Sequence, residues 1–268
     1  MMKRFFSVII AAALTLLPVA YGEEGAPGLY AFFNGAPKGD LVDEALFLKQ
    51  SGYAGISQLY SSELGEKLTK RVEIYEKAGL KVLSVYLPAT EVPIKEETVK
   101  ALANRGSLIE LTVQKKIDDK IIESIRKTAA MADRLKIRVA LYPHTGFAVA
   151  TVPQAIDLIA KVNHPNLGMM FNLCHFLKNE KEADLESVLE KAGDRLFAVS
   201  INGADLNGKG WGGLIQTLDK GTFPQKRLFK QLEKVGFSGP LSLQCYGIKG
   251  DRKENLKKSI GAFTKLWE

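Results

Sequence analysis

LIELTVQKKIDDKIIESIRKTAAMADRLKIRVALYPH, residues 108–144, decides the fold. It opens on a short apolar run, Leu108–Val113, and closes on another, Arg138–Tyr142. Between them, over Ile117–Lys136, Ile121, Ile125, Ala129 and Ala132 fall on one stripe at helical spacing. Strand, helix and strand follow one another with little between. The same unit repeats outward in both directions. Further strand-like runs lie at Leu29–Phe33, Tyr53–Ser57, Val82–Tyr86, Leu167–Phe171, Phe197–Ile201 and Leu241–Cys245. The eight starts are 24, 29, 26, 30, 29, 30 and 44 residues apart. Helical patterns recur over Val152–Val162, Asp184–Ala192, Gln225–Val235 and Glu254–Trp267, with Gln154 and Asp184 near helix starts. Gly52, Gly79, Gly193 and Gly236 each stand where a helix must stop before the next strand. Eight alternating units in roughly 245 residues predict an α/β fold, a single closed (β/α)8 barrel. An open doubly wound sheet would carry a glycine-rich phosphate loop after its first strand, and Asn34-Gly35-Ala36-Pro37 is not one.

Composition agrees with one packed domain. Of 268 residues, 46% are hydrophobic and 25% charged, which excludes a disordered chain, a collagen-like repeat and a multi-pass membrane protein. The first residues are Met1-Met2-Lys3-Arg4, then an apolar run from Phe5 to Ala20 broken by Pro18, then Ala20-Tyr21-Gly22. A basic start, a short apolar stretch and small residues at its end read as a signal peptide over 1–22. The run is short for a membrane span of about 20 residues. The expectation is an exported protein, periplasmic or secreted, with the barrel over 23–268 and no membrane attachment after cleavage.

Formal net charge is +7; losing Lys3 and Arg4 leaves 35 basic against 30 acidic residues, or +5. The excess is scattered along the chain, so a nucleic-acid partner is not expected. Two cysteines are too few for a disulfide framework; Cys174 falls after the sixth strand and Cys245 within the eighth, which are not neighbours in a barrel, so a bridge between them is open but not expected. Oligomeric state leaves no mark in the sequence.

A parallel barrel binds its ligand at the C-terminal ends of its strands. Those ends carry Asn34, Gln58, Tyr86, Gln114, Tyr142-Pro143-His144, Asn172-Leu173-Cys174-His175, Asn202-Gly203-Ala204-Asp205 and Gln244-Cys245-Tyr246. Amides offer paired donors and acceptors to sugar hydroxyls, and aromatic faces suit sugar C–H faces. The expected partner is therefore a small-molecule carbohydrate, with Asn34, Gln58, Tyr86, Gln114, Asn172, Asn202, Asp205, Trp211 and Gln244 as binding residues. Trp211 lies in a glycine-rich stretch before the last strand, placed as a lid or sugar platform. His164, before the sixth strand, lies at the opposite end and reads as structural. Glu110 leaves two readings open: a carboxylate pointing into the barrel, or one paired with a lysine outside. No arginine cluster marks the rim, which disfavours a phosphate-bearing substrate.

From Arg138 onward these segments resemble the xylose isomerase-like barrel superfamily, which includes the sugar phosphate isomerases and epimerases. The resemblance implies Glu-x-His on the fifth strand, Asp-x-x-His on the sixth, His-x-x-Asp on the seventh and a Glu ending the eighth. It also implies a divalent metal held by the two Glu, the Asp of the sixth strand and the His of the seventh, with the Glu pair moving protons in epimerases. This chain departs at all four ligand positions, which hold Tyr142, Asn172, Asn202 and Gln244, while His144, His175 and Asp205 remain. Four neutral groups suit a dication poorly, so no metal and no other cofactor is expected. A carboxamide cannot accept a proton from carbon either.

Two function classes follow. One is a carbohydrate enzyme with isomerase/epimerase-like or lyase-like acid–base chemistry carried by His144, His175 and Tyr142. The other is a non-catalytic sugar-binding barrel that keeps the pocket without the reaction. Histidine geometry separates them: two imidazoles converging on one site favour catalysis, and imidazoles tied up by backbone groups favour binding.

Overall fold

A computed structural model describes residues 27–266. Nine parallel strands form one sheet: β1 (Leu29–Phe32), β2 (Gly55–Ser57), β3 (Lys81–Val82), β4 (Ser84–Pro88), β5 (Leu108–Thr112), β6 (Arg138–Leu141), β7 (Leu167–Asn172), β8 (Leu196–Ile201) and β9 (Leu241–Leu243). Their order is β3-β2-β1-β9-β8-β7-β6-β5-β4. The two ends of that order are consecutive in the chain, joined through Leu83 alone. Leu83 N–H donates to Ile56 O, and Leu83 O accepts from Leu108 N. β3 and β4 are thus two halves of one stave, and eight staves make a nearly closed (β/α)8 barrel.

The predicted third strand, Val82–Tyr86, is cut in two for a local reason. Gln58, just past β2, adopts φ 59°, a left-handed conformation that costs a non-glycine residue about 1 kcal/mol or more. Its N–H turns away from the ladder and donates to Ser84 Oγ at 2.7 Å. Pairing resumes one residue later as a bridge between Leu59 and Val85.

Around the staves run α1 (Leu41–Gln50), α2 (Glu66–Lys77), α3 (Glu96–Val99), α4 (Asp119–Arg134), α5 (Val152–Val162), α6 (Leu173–Asn179), α7 (Leu185–Ala192), α8 (Trp211–Leu214), α9 (Gln225–Lys234) and α10 (Arg252–Lys265). α4 starts at Asp118, whose carboxylate accepts from Ile121 N, and buries Ile121, Ile125, Ala129 and Ala132. Thr151 and Gln154 form a reciprocal capping box at the start of α5. The four glycines expected to end helices all take positive φ. Among the described residues no helix is long and apolar enough to cross a membrane.

Two buried layers result. The larger lies between sheet and helices. The smaller fills the barrel and contains Tyr30, Phe32, Leu83, Leu108, Ala140, Tyr142, Met170, Phe197 and Ala198. Glu110 shares the inward parity of Leu108 and is fully buried.

Candidate functional site

Above the apolar plug, the strand ends close a polar mouth. Asn34 Nδ2 donates to Gln244 Oε1 at 3.2 Å and to Tyr60 OH at 3.3 Å. Gln244 Nε2 donates to Tyr142 OH at 3.4 Å. Gln58 Nε2 donates to Glu110 Oε2 at 3.4 Å, and Ser84 Oγ donates to Glu110 Oε1 at 2.5 Å. Of the two sequence readings of Glu110, the inward one holds. Burial pushes its carboxyl up to about 7, against the lowering effect of the Ser84 and Gln58 hydrogen bonds.

Aromatic rings line one side of this network. Phe33, Tyr60, Tyr86 and Tyr142 follow one another edge to face, with centroids 5.7, 5.9 and 5.1 Å apart. Tyr142 then meets His175 at 5.9 Å, and Trp211 meets His175 at 5.3 Å. Burial raises the Tyr142 phenol well above its ordinary value, so it stays protonated.

His144 and His175 converge, with centroids 4.1 Å apart. His144 also stacks on Phe147 at 4.2 Å. Thr145 O lies 2.8 Å from His144 Nδ1; a carbonyl only accepts, so that nitrogen carries the hydrogen. Thr145 N–H donates to His175 Nδ1 at 3.3 Å, so in the neutral ring the proton sits on Nε2. Desolvation lowers both rings, His175 to about 3 with the help of His144, so both are neutral near pH 7. The pair therefore presents a bare Nε2 on His144 and an Nε2–H on His175: a proton acceptor beside a donor.

The remaining sequence candidates divide. Asn172 Oδ1 accepts from Ser200 Oγ at 2.8 Å and from Cys174 Sγ at 3.4 Å, leaving its Nδ2 buried without a partner. Asn202 Nδ2 donates to the carbonyls of Gly203 and Leu214 at 2.8 and 2.7 Å, leaving Oδ1 buried and unpartnered. Asn34 Oδ1 is in the same state. Gln114 is exposed and only meets Thr112 Oγ1, at 3.4 Å. Asp205 orients neither imidazole. Its Oδ2 accepts from Gln216 Nε2 at 2.8 Å, because the loop folds back through a bridge between Gly203 and Gln216. Cys174 and Cys245 are buried free thiols, and His164 serves its own turn by accepting from Asn166 N. Sequence reading missed Thr145, Ser84, Tyr60 and Phe147. Tyr60 lies three residues past β2 and could have been read from that position; the backbone role of Thr145 has no residue-type signal.

The four positions matched to family metal ligands do not suit a dication. Gln244 Oε1 already accepts from Asn34 and from Tyr246 N, Asn172 Oδ1 is engaged twice, and the Tyr142 phenol is protonated. No group of three or more His, Cys, Asp or Glu gathers among the described residues.

Parallel staves, an apolar plug and polar groups gathered at the strand C-termini define a TIM barrel with a polar mouth. The profile of the xylose isomerase-like TIM barrel family matches residues 67–266. The chain belongs to that family. No curated protein sequence matches it. Among solved structures it is similar to a probable 3-DHS dehydratase from Bacillus anthracis (TM-score 0.69, 14% identity, covering 88% of this chain and 98% of that one). It is similar to the D-psicose 3-epimerase of Clostridium cellulolyticum H10 (0.67, 14%, 89% and 98%). A third is the 3-keto-D-glucoside 4-epimerase of E. coli (0.68, 17%, 88% and 98%). At these identities the likeness is one of fold.

Proposed function

We propose that the chain acts on a sugar or keto-sugar by metal-independent acid–base chemistry of the isomerase/epimerase or lyase kind. The observation that carries this reading is the opposite contacts of the converging His144 and His175 with the Thr145 backbone, one Nδ1 facing its carbonyl and the other its N–H. His144 Nε2 takes a proton from the carbon beside a carbonyl. The C–H electron pair becomes the new C=C bond, and the carbonyl pair moves to oxygen. His175 Nε2–H and the Tyr142 hydroxyl donate hydrogen bonds to that oxygen. His144 Nε2–H returning the proton to the neighbouring carbon, as the enol hydroxyl proton passes to the other oxygen, gives the isomer; a water proton taken on the opposite face, with His144 losing its own to solvent, gives the epimer; and His144 Nε2–H protonating a β-hydroxyl that leaves as water, as the enolate pair re-forms the carbonyl, gives the lyase outcome. Amide atoms of Asn34, Asn172 and Asn202 are buried without protein partners, so this end of the barrel holds polar capacity that the fold itself does not use. Two of the structural neighbours are, by name, sugar epimerases, which supports the carbohydrate class.

The second reading, a sugar-binding barrel without turnover, is favoured by two observations: both imidazoles are held by the Thr145 backbone, and His144 lies between Phe147 and His175, which limits a substrate's approach to its ring faces. His144→Ala and His175→Ala separate the readings. Catalysis requires that each abolish turnover while sugar binding persists; a binding protein shows no turnover to lose.

Export belongs to this proposal as well. Residues 1–22, read as a signal peptide, lie outside the described residues. Expression in a Gram-negative host followed by N-terminal sequencing should give Glu23 as first residue in the periplasmic fraction; intact Met1 in the cytoplasm contradicts it.

A further inference from the structure

A cavity of about 560 Å3 lies away from the histidines. It opens beside the mouth, between the turns that follow β1, β2 and β9, and shares Asn34 and Tyr60 with the amide network. Its volume falls within the range of small-molecule sites. Its floor is the ion-paired Arg71, whose Nη1 meets Glu44 and whose Nη2 meets Glu63 at 2.8 Å. Arg71 also lies over the Phe33 ring, 5.2 Å from its centroid. Its edge is Tyr246, 61% exposed, directly after the Gln244-Cys245 pair of the mouth. A tyrosine standing in water at the lip of a cleft offers an unused ring face. Arg252 closes the far side, held by Nη1 on Ala36 O at 2.7 Å and by no ion pair among the described residues.

We propose that this cleft is a second sugar subsite, so that the ligand is a glycoside or disaccharide with one ring at the histidine mouth and the other between Tyr60, Tyr246 and Arg252. The inference rests on the reading of the mouth as a sugar site. Lys38, Arg71 and Arg252 line the cleft against Glu44 and Glu63, with Arg71 already shared by both carboxylates. Donors and acceptors alternate with ring faces, as a sugar's hydroxyls and C–H faces require. Asn34 stands at the junction, with Nδ2 fixed in the mouth and the residue itself lining the cleft.

Calorimetric titration of the full chain with D-glucose, D-fructose, maltose, cellobiose, lactose and glucose 6-phosphate tests this. At least one disaccharide should bind about tenfold or more tighter than its component monosaccharides. Tyr246→Ala and Arg252→Gln should remove that preference and leave monosaccharide affinity unchanged. Tyr246 is exposed, so its variant does not threaten the fold. Monosaccharide binding with no disaccharide preference overturns the subsite and leaves the mouth reading standing. Tighter binding of glucose 6-phosphate than of every disaccharide makes the cleft an anion site and overturns it too. Absence of binding by any sugar removes both readings.

Discussion

His144 and His175, 4.1 Å apart, are oriented by opposite ends of one residue's backbone: Thr145 O accepts from the first and Thr145 N–H donates to the second. The Thr145 hydroxyl, 3.1 Å from His175 Nδ1, adds to the second contact. Two imidazoles in van der Waals contact cannot both be charged at low cost, and burial removes the charge from each. What remains is a neutral pair with unlike Nε2 atoms.

The tautomers are directly visible by long-range ¹H–¹⁵N NMR of histidine-labelled protein. At pH 7 His144 should show a protonated Nδ1 and a bare Nε2, and His175 the reverse. His175 should not titrate until the pH approaches about 3. A shared tautomer, or titration of His175 near 6.5, contradicts the pair.

Glu110 should make stability pH-dependent in a defined direction. Its folded pKa, about 7, lies above the ordinary 4.5, so the folded state holds the proton more tightly. Its favourable contribution is full below about pH 4.5 and is lost as pH rises through 7. The loss is about 3 kcal/mol. Glu110→Gln should therefore gain about 3 kcal/mol on wild type between pH 4 and pH 8, read from urea midpoints. His175 acts oppositely: its depressed pKa costs stability as pH falls from 6.5 toward 3. The variant should thus show only a rise with pH over the acid range. Parallel curves for variant and wild type would contradict a buried, titrating Glu110.

Arg71 neutralises two carboxylates, and substitutions at Arg71 and at Glu63 should differ sharply. Arg71→Met leaves Glu44, 7% exposed, without its cation and should cost about 3 kcal/mol or more. Glu63→Gln leaves Arg71 paired with Glu44 and should cost less than about 1 kcal/mol. Equal losses in urea unfolding would contradict the geometry.

Cys174 and Cys245 should behave as sealed thiols. Both are buried, and burial pushes each up to about 12. Ellman's reagent should find almost no reactive thiol in the native protein and two per chain in denaturant without reductant. One or none in denaturant means a disulfide has formed.

Much of the barrel was readable because buried strands and amphipathic helices leave different periods. Leu108–Val113, Arg138–Tyr142 and the stripe of α4 all appear in the structure within a few residues of where the pattern put them. The cut at Leu83 was not readable. It depends on a side-chain hydroxyl, Ser84 Oγ, capturing the N–H of a residue 26 positions away. The mouth was readable as a list of strand ends, since chain topology alone delivers Asn34, Tyr142, His175 and Gln244 to one place. Its wiring was not: Thr145 acts through its backbone, and Asp205 is claimed by Gln216 on its own loop. Glu110 was readable by parity, while its partners Gln58 and Ser84 come from other staves.

The central claim, proton transfer by the histidine pair without a dication, is tested most directly by isotope exchange. Protein stripped with chelator is incubated in D2O with a panel of ketoses and keto-glycosides, and deuterium entering the carbon beside the carbonyl is followed by NMR. Exchange that proceeds at the same rate with chelator and with added Mn²⁺, and that vanishes in both His144→Ala and His175→Ala, is the expected result. Exchange that stops on chelation, returns with Mn²⁺ and survives both substitutions would contradict it.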